Sequence, residues 1–388
     1  MDKTKALLKT IGICLFDKNA DDEYLNSIQD EQFLIDTYKL ARKHDVAHYL
    51  GYALEKLGML GNNSAIHKIL AKEQFTAVYR YENIVHEIKN ITSLFEKSGI
   101  DCIILKGSYI RKLFPEEWLR TSCDIDILVR DGDTQKSIEL LQNEYGYECR
   151  GKNGHDYQLY SKNGVHLELH FLLIEDDYSL DADKPLESVW DYTDSLDGQN
   201  HIFRMDDDML YYYNAVHMAK HILEGGCGIK PLIDTLILNE KLNFTPEKER
   251  LLNEGGLMKF DELTTKLSRV WFKGEECTEQ TDRLAEYILF GGVYGNVENR
   301  VAARQEEKGG RIGYALQRIF LPYKSMVLRY PDLNNHKWRY PFYQFRRWVD
   351  LLREGRAAYS FHELKTNQTM SLEQKNKTNS MLDDLGLK

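Results

Sequence analysis

Residues 103–130, which read IILKGSYIRKLFPEEWLRTSCDIDILVR, decide the fold that this sequence predicts. An apolar run over residues 102–105 lies between two charged residues, which is typical of a short buried strand. Residues 106–108, Lys-Gly-Ser, end that run, and residues 109–114 have helical spacing before Pro115. The first half of the stretch therefore predicts a strand, a tight turn and a short helix.

The second half carries two acids, Asp124 and Asp126, inside an otherwise apolar strand-like run. Residues two apart in a strand point to the same face, so the two carboxylates project together while Ile125 and Ile127 face the core. Adjacent carboxylates repel each other and share a proton unless a cation lies between them. Paired oxygen ligands suit Mg²⁺, so the pair predicts a magnesium site.

The turn before the helix, Gly107-Ser108, suits the same chemistry. Glycine lets a phosphate come close to the backbone, and the helix that follows offers unpaired N–H groups. A lone Asp-x-Asp pair is more often an ordinary strand end or turn. The succession of strand, Gly-Ser, helix and a second strand with two acids is much rarer, and it favours a catalytic site.

Three further strands are predicted after a helix over residues 134–145, and Asn-Gly turns separate them. The last of these strands, residues 165–172, alternates between apolar and polar side chains. One face carries Val165, Leu167, Leu169 and Phe171, and the other carries His166, Glu168 and His170. Glu168 is therefore a candidate third carboxylate. The alternative is that this polar face is only the wet side of an edge hairpin.

At this point the sequence resembles a known group, the bacterial uncharacterised nucleotidyltransferases of the DNA polymerase β superfamily. The resemblance rests on Leu-Lys-Gly at 105–107, Arg120 before Asp-Ile-Asp at 124–126, Glu-Leu-His at 168–170 and a His-x-x-x-His pair further on. It implies that Asp124, Asp126 and Glu168 are the catalytic residues and the metal ligands. It also implies nucleotide-binding and lid or acceptor-site residues: Lys106, Gly107, Ser108, Arg120 and Lys230 for the nucleotide, and His170, His217, His221 and Asp234 for the lid or acceptor. Lys230 stands where the family usually has arginine.

The chain as a whole is predicted to be an α+β protein, with a small mixed β-sheet core between helical segments. The expected regions are an N-terminal helical region (1–97), the nucleotidyltransferase core (98–205), a C-terminal helical region (206–363) and a disordered tail (364–388). The tail prediction rests on its composition, which is mostly Lys, Asn, Thr, Gln and Ser.

Composition narrows the class of protein. The 388 residues are 42% hydrophobic and 29% charged, and no apolar run approaches the length of a membrane span. Six scattered cysteines without Cys-x-x-Cys pairs favour a reducing cytoplasm over a disulfide framework. The net charge of −10 argues against a nucleic-acid partner, although residues 300–356 carry a local positive excess that could hold a phosphorylated substrate.

The predicted activity is Mg²⁺-dependent transfer of a nucleoside monophosphate from a nucleoside triphosphate to a hydroxyl group, with release of pyrophosphate. Two Mg²⁺ ions are expected, with Mn²⁺ as the alternative metal. A small metabolite or sugar is favoured as the acceptor, while an antibiotic, a protein hydroxyl and an RNA end remain open. The alternative from another class is a non-catalytic nucleotide-binding or protein-interaction module that retains the fold.

Overall fold

A single mixed sheet forms the centre of the computed structural model, which describes residues 1–61, 64–173, 181–196, 198–305, 309–353, 355 and 357–388. The described residues contain seven strands in the order β3-β4-β5-β2-β1-β7-β6. Their bounds are β1 (Cys102–Ile104), β2 (Asp124–Val129), β3 (Glu148–Lys152), β4 (Asp156–Tyr160), β5 (His166–His170), β6 (Thr193–Ser195) and β7 (Ile202–Met205).

Strand β2 lies in the middle of the sheet, antiparallel to β1 and parallel to β5. The parallel register places Asp126 directly beside Glu168 and Ile125 beside Leu167. Strands β3, β4 and β5 form the antiparallel meander that the two turns predict. Because side chains alternate along each strand, the register puts the acids of β2 and β5 on one face of the sheet.

Strands β6 and β7 are absent from the sequence prediction. Strand β7 pairs in parallel with β1, and Cys102 lies beside Ile202. The strand has only four residues, too few for an alternating pattern to stand out. Its strand conformation depends on a partner one hundred residues earlier in the chain, which no local pattern reports.

The N-terminal region is helical, as predicted. Its helices are α1 (Lys3–Leu15), α2 (Asp22–Gln29), α3 (Glu31–Lys43), α4 (His48–Lys56) and α5 (Ala65–Ser98). Helix α5 ends at Gly99, whose φ of +65° is the left-handed conformation that glycine adopts without strain. The chain then enters β1, so this glycine sets the angle at which the long helix meets the sheet.

Two short helices lie inside the sheet region, α6 (Lys106–Ile110) after β1 and α7 (Thr134–Leu140) after β2. Helices α5 and α7 cover one face of the sheet, where Ile91, Phe95 and Ile138 pack with Ile125 and Ile127. Both isoleucines of β2 are fully buried, as the alternation predicts. The opposite face carries Asp124 and Asp126.

The C-terminal region is also helical. Its helices are α8 (Asp207–Leu223), α9 (Lys230–Lys241), α10 (Pro246–Glu254), α11 (Met258–Lys273), α12 (Glu279–Gly291), α13 (Val297–Gln305), α14 (Gly310–Ile319), α15 (Tyr323–Arg329), α16 (Tyr340–Arg353), α17 (Ala357–Thr369) and α18 (Leu372–Asp384). Helix α8 packs on the acid-bearing face of the sheet, where Met209 joins Ile103 and Leu128 in the larger core. The predicted α+β class is confirmed. No helix in the described part of the chain combines the length and hydropathy that a transmembrane span requires.

The prediction of a disordered tail is wrong. Residues beyond 364 complete α17 and form α18, and Leu382 and Leu385 are fully buried in the larger core. Asp384 also accepts hydrogen bonds from Arg283 at 3.0 and 2.6 Å. The composition of the tail is mostly polar, and only a few apolar side chains lie on one face of α18. Those side chains pack against α12 and α13, and this contact orders the helix.

Candidate active site

The acids of β2 and β5 converge on the open face of the sheet. The potential ligand atoms of Asp126, Glu168 and His170 all lie within 4.8 Å of one another. Those of Asp124, Glu168 and His166 form a second group with the same spacing. Glu168 belongs to both groups: the parallel register pairs it with Asp126 and pairs its neighbour on the same face, His166, with Asp124. The structure thus gathers the three predicted carboxylates at one place.

The carboxylate pair is electrostatically uneven. Burial, together with the charges of Asp126 and Glu168, raises the pKa of Asp124 to about 6. Burial acts in the same direction on Asp126, but Lys106 and His170 outweigh it and hold the pKa of Asp126 well below its usual range. Asp126 is therefore ionised at neutral pH, and Asp124 is the carboxylate that responds to added positive charge.

His170 is the positive group nearest to two of the acids. Its Nε2 lies 3.4 Å from Oδ1 of Asp126 and 3.6 Å from Oε2 of Glu168. Burial alone would lower the pKa of His170, but the contacts with Asp126 and Glu168 raise it to about 9. An imidazolium thus neutralises part of the acidic charge when no metal is bound.

Lys106 supplies the other positive charge. Burial lowers the pKa of Lys106, and the carboxylates of Asp126 and Asp124 oppose that effect. Its ammonium lies 5.7 Å from the ring centre of Tyr213 on α8. The lysine that follows β1 therefore lies near both the acids and α8, and its predicted nucleotide-binding role stays a prediction. Gly107 and Ser108 are both buried in α6 beside it.

One polar neighbour of the acids is missing from the sequence prediction. Gln158 on β4 lies opposite Glu168, and its Nε2 donates to Oε1 of Glu168 at 3.4 Å and to Oδ1 of Asp156 at 2.7 Å. His166 also contacts Gln158. The signal was available, since the predicted β4–β5 hairpin brings a glutamine beside Glu168, but the register had to be fixed first.

Arg120 and Asp234 form a buried ion pair. The guanidinium donates to both carboxylate oxygens of Asp234, at 3.0 and 2.7 Å, and the two side chains are 9% and 3% exposed. A Cβ atom on Gly107 would lie 3.1 Å from Nη1 of Arg120, which is tighter than ordinary packing. In this structure the glycine makes room for the arginine. The predicted nucleotide-binding role of Arg120 stays a prediction.

Lys230 is held in a similar way. Its ammonium donates to Oδ2 of Asp45 at 2.7 Å and to the carbonyl and hydroxyl oxygens of Thr121, each at 3.1 Å. The lysine thus ties the turn before α4 and the loop before β2 to the start of α9. Its predicted contact with a nucleotide is likewise untested, and Asp45 is a partner that the sequence prediction lacked.

The histidine pair of α8, His217 and His221, lies near Lys106. Nε2 of His217 and Nε2 of His221 lie 3.2 Å apart. Burial, with Lys106 the next cause for both residues, lowers the pKa of each. The two rings are therefore neutral, and one of them donates a hydrogen bond to the other. Their role as a lid or acceptor site stays a prediction.

A sequence model of the family described as "Uncharacterised nucleotidyltransferase" matches residues 35–273, which is more than half of the chain. The chain belongs to this family. The resemblance stated from the Leu-Lys-Gly, Asp-Ile-Asp and Glu-Leu-His motifs is confirmed, and the protein is a nucleotidyltransferase enzyme by family. Residues 274–388 lie outside the matched segment.

Other comparisons add little to the family assignment. No curated protein matches this nucleotidyltransferase. A solved structure of the Thermotoga maritima CCA-adding enzyme complexed with its tRNA is similar at 10% identity, covering 77% of this chain and 82% of that one. Its TM-score is 0.22, so no argument about this chain is drawn from it.

Proposed function

We propose that this nucleotidyltransferase moves a nucleoside monophosphate from a nucleoside triphosphate to an acceptor hydroxyl, with Mg²⁺ as cofactor and pyrophosphate as the leaving group. One observation carries the proposal. Asp124, Asp126 and Glu168 lie together on one face of two adjacent strands, with Lys106 close to the two aspartates. A cation between such closely spaced carboxylates would relieve the repulsion among their charges.

The residues present fit a divalent metal. Asp124 and Asp126 would hold both ions, and Glu168 would hold the catalytic one. Carboxylate oxygens are the ligands that Mg²⁺ prefers, and the raised pKa of Asp124 marks a carboxylate with too little positive charge around it. When bound, Mg²⁺ supplies charge for the phosphate oxygens and lowers the pKa of an attacking hydroxyl. Mn²⁺ suits the same ligands.

The protein's own groups have separate tasks in this proposal. Glu168, which accepts a hydrogen bond from Gln158, would take the proton of the acceptor hydroxyl. Lys106 adds positive charge beside the triphosphate, which Gly107 and Ser108 border. His170 holds Asp126 and Glu168 in position from the side. Positioning and electrostatic stabilisation supply most of the catalysis in phosphoryl transfer, and this arrangement offers both.

The acceptor we favour is a small metabolite or sugar. The net charge of −10 works against tight binding of a nucleic-acid backbone. A reducing, cytoplasmic setting agrees with the six cysteines, all of which are free in the structure. These features support the choice of acceptor class and compartment, and they leave the identity of the acceptor to experiment.

The test is a titration of the purified protein with each of the four ribonucleoside triphosphates, with and without Mg²⁺. We expect at least one triphosphate to raise the melting temperature, and only when Mg²⁺ is present, because binding to the folded state stabilises it. Pyrophosphate should also be released slowly without an added acceptor, because water can take the place of the acceptor hydroxyl. If no triphosphate changes the melting curve, the protein is a non-catalytic relative and the proposal is wrong.

A further inference from the structure

A second polar pocket lies at the far end of α8, where α13, α14 and α17 meet. Its volume is about 130 Å³, and the described residues that line it are all charged or carry a hydroxyl group: Glu224, Arg300, Arg304, Tyr314, Arg318 and Glu363. One water molecule occupies about 30 Å³, so the pocket has room for a small polyatomic ion.

Two of the arginines are fixed by neighbouring groups. Nε of Arg300 donates to the carbonyl oxygen of Glu224 at 3.0 Å, and its Nη1 donates to the hydroxyl of Tyr359. Nη2 of Arg318 lies 2.6 Å from Oε2 of Glu363. These contacts hold two guanidinium groups against the pocket wall before any ligand arrives, which lowers the entropic cost of binding one.

Glu363 organises the other wall. Its side chain is only 3% exposed, and besides Arg318 it accepts a hydrogen bond from the hydroxyl of Tyr314. The carboxylate is thus engaged by its own neighbours. With Arg304 as the third guanidinium, the described residues of the lining carry three positive charges against two negative ones. Such a wall repels a metal cation and attracts an oxyanion.

The pocket connects to the candidate active site along one helix. Oε2 of Glu224 lies 3.7 Å from Nδ1 of His221, which contacts His217. Further along α8, the ring of Tyr213 lies against Lys106. From Tyr213 to Glu224 the helix rises roughly 16 Å at 1.5 Å per residue. A molecule with its hydroxyl at the acids and an anionic group in the pocket would extend along this face of α8.

We propose that this arginine pocket binds a phosphate group carried by the acceptor substrate. Guanidinium groups match the geometry of phosphate oxygens, and three of them around one small pocket favour a phosphate over a carboxylate. The pocket thereby explains part of the positive excess in residues 300–356. The assignment to the acceptor rests on the proposed function, whereas the phosphate site itself does not.

Inorganic phosphate is the probe for the test, with binding measured by calorimetry at fixed ionic strength. We expect millimolar binding to the full chain and at least a tenfold weaker affinity for Arg304→Gln and Arg304→Lys, because both lose charge-assisted paired hydrogen bonds. Arg353→Gln removes an exposed arginine of α16 outside the pocket and should leave phosphate binding unchanged. Asp126→Asn should leave it unchanged as well. Melting curves confirm that each variant is folded.

Three outcomes would overturn the proposal: no phosphate binding to the wild type, equal loss in Arg353→Gln, or a changed affinity in Asp126→Asn, which would place the phosphate at the acids. If Arg304→Lys weakened triphosphate binding as much as phosphate binding, the pocket would hold the nucleotide and the acceptor assignment would be wrong. If phosphate binds while no triphosphate does, the proposed function fails and the phosphate site stands.

Discussion

The acids of β2 and the ion pairs around the loop that precedes it lie side by side, yet they are built in opposite ways. Asp124 and Asp126 face Glu168, so like charges meet. Arg120 and Asp234, by contrast, carry opposite charges, and two guanidinium nitrogens each donate a hydrogen bond to one carboxylate oxygen. The two members of a buried ion pair neutralise each other's charge. Facing carboxylates, by contrast, lower the stability of the fold unless a ligand compensates their charge.

This difference also separates the predicted site residues into two groups. The structure gathers Asp124, Asp126, Glu168, Lys106 and His170 around one another and leaves their charges out of balance. It places Arg120 and Lys230 in matched contacts with acids. Both groups carry family motifs, so the motifs alone do not show which residues meet a substrate and which hold the framework. We propose that the contacts separate the two groups, and substitutions can test the distinction.

The largest expected effect is on activity. Asp126→Asn keeps the size of the side chain and removes one ligand charge, so pyrophosphate release should fall by a factor of about 100 or more, at tenfold for each ~1.4 kcal/mol of lost transition-state stabilisation. Without metal, the melting temperature should fall modestly, because Lys106 and His170 stabilise the ionised form of Asp126 in the folded protein and the amide loses that attraction. Asp131→Asn, at an exposed position just after β2, is the matched control and should change neither quantity.

The opposite result for Asp126→Asn would remove the contrast. If the variant lost stability but kept its pyrophosphate release and its response to triphosphate and Mg²⁺, the acid cluster would be structural.

The next largest effect concerns stability. Asp234→Asn leaves the guanidinium of Arg120 buried without its counter-ion, which should cost about 3–5 kcal/mol of unfolding free energy. Denaturant titration measures this loss. The control is Asp194→Asn, because Asp194 pairs with Arg204 at 2.7 Å but is 53% exposed, and a pair of that kind contributes less than about 1 kcal/mol. Equal losses in the two variants would contradict the structural role assigned to Asp234.

A third prediction concerns His44, a buried ionisable group. Burial lowers the pKa of His44 to about 4, compared with about 6.5 in an unfolded chain. Between these values the unfolded state binds more protons, so stability is full above pH 6.5 and is lost as the pH falls toward 4. Acidification from pH 7 to 5 should therefore cost about 2 kcal/mol at this site.

His44→Leu should flatten that pH dependence, and His86→Leu, at an exposed histidine of α5, should not. Unfolding free energies of the three proteins at pH 7, 6 and 5 give the comparison. An unchanged slope for His44→Leu would show that this histidine does not titrate on unfolding in that range.

The smallest effect is expected for Lys230→Met. The variant removes the partner of Asp45, whose side chain is 37% exposed, so water compensates part of the loss and the cost should be about 1 kcal/mol. The double variant Lys230→Met/Asp45→Asn should recover some of that stability, and the double-mutant cycle gives the coupling energy. A coupling energy of zero would show that Lys230 does not stabilise the fold through Asp45. Lys230 would then remain only a candidate nucleotide-binding residue.

The sequence by itself determined the local features of this protein. The alternation of Asp124 with isoleucines, the Asn-Gly turns around β4 and the alternation of β5 follow from the period of two in a strand, which the backbone geometry imposes on any neighbours. The three candidate carboxylates and the family came from the same short stretches. The α+β class followed because strands and amphipathic helices have different periods.

Only the tertiary structure decided the partners. Arg120 meets an acid 114 residues away and Lys230 one 185 residues away, and no spacing within either segment identifies those contacts. Strand β7 and helix α18 have weak patterns of their own, and each is ordered by a distant surface that buries it. Periodicity is a property of the local backbone. The choice of partner depends on how separate segments pack, and the free energy of that packing is gained only when the chain folds.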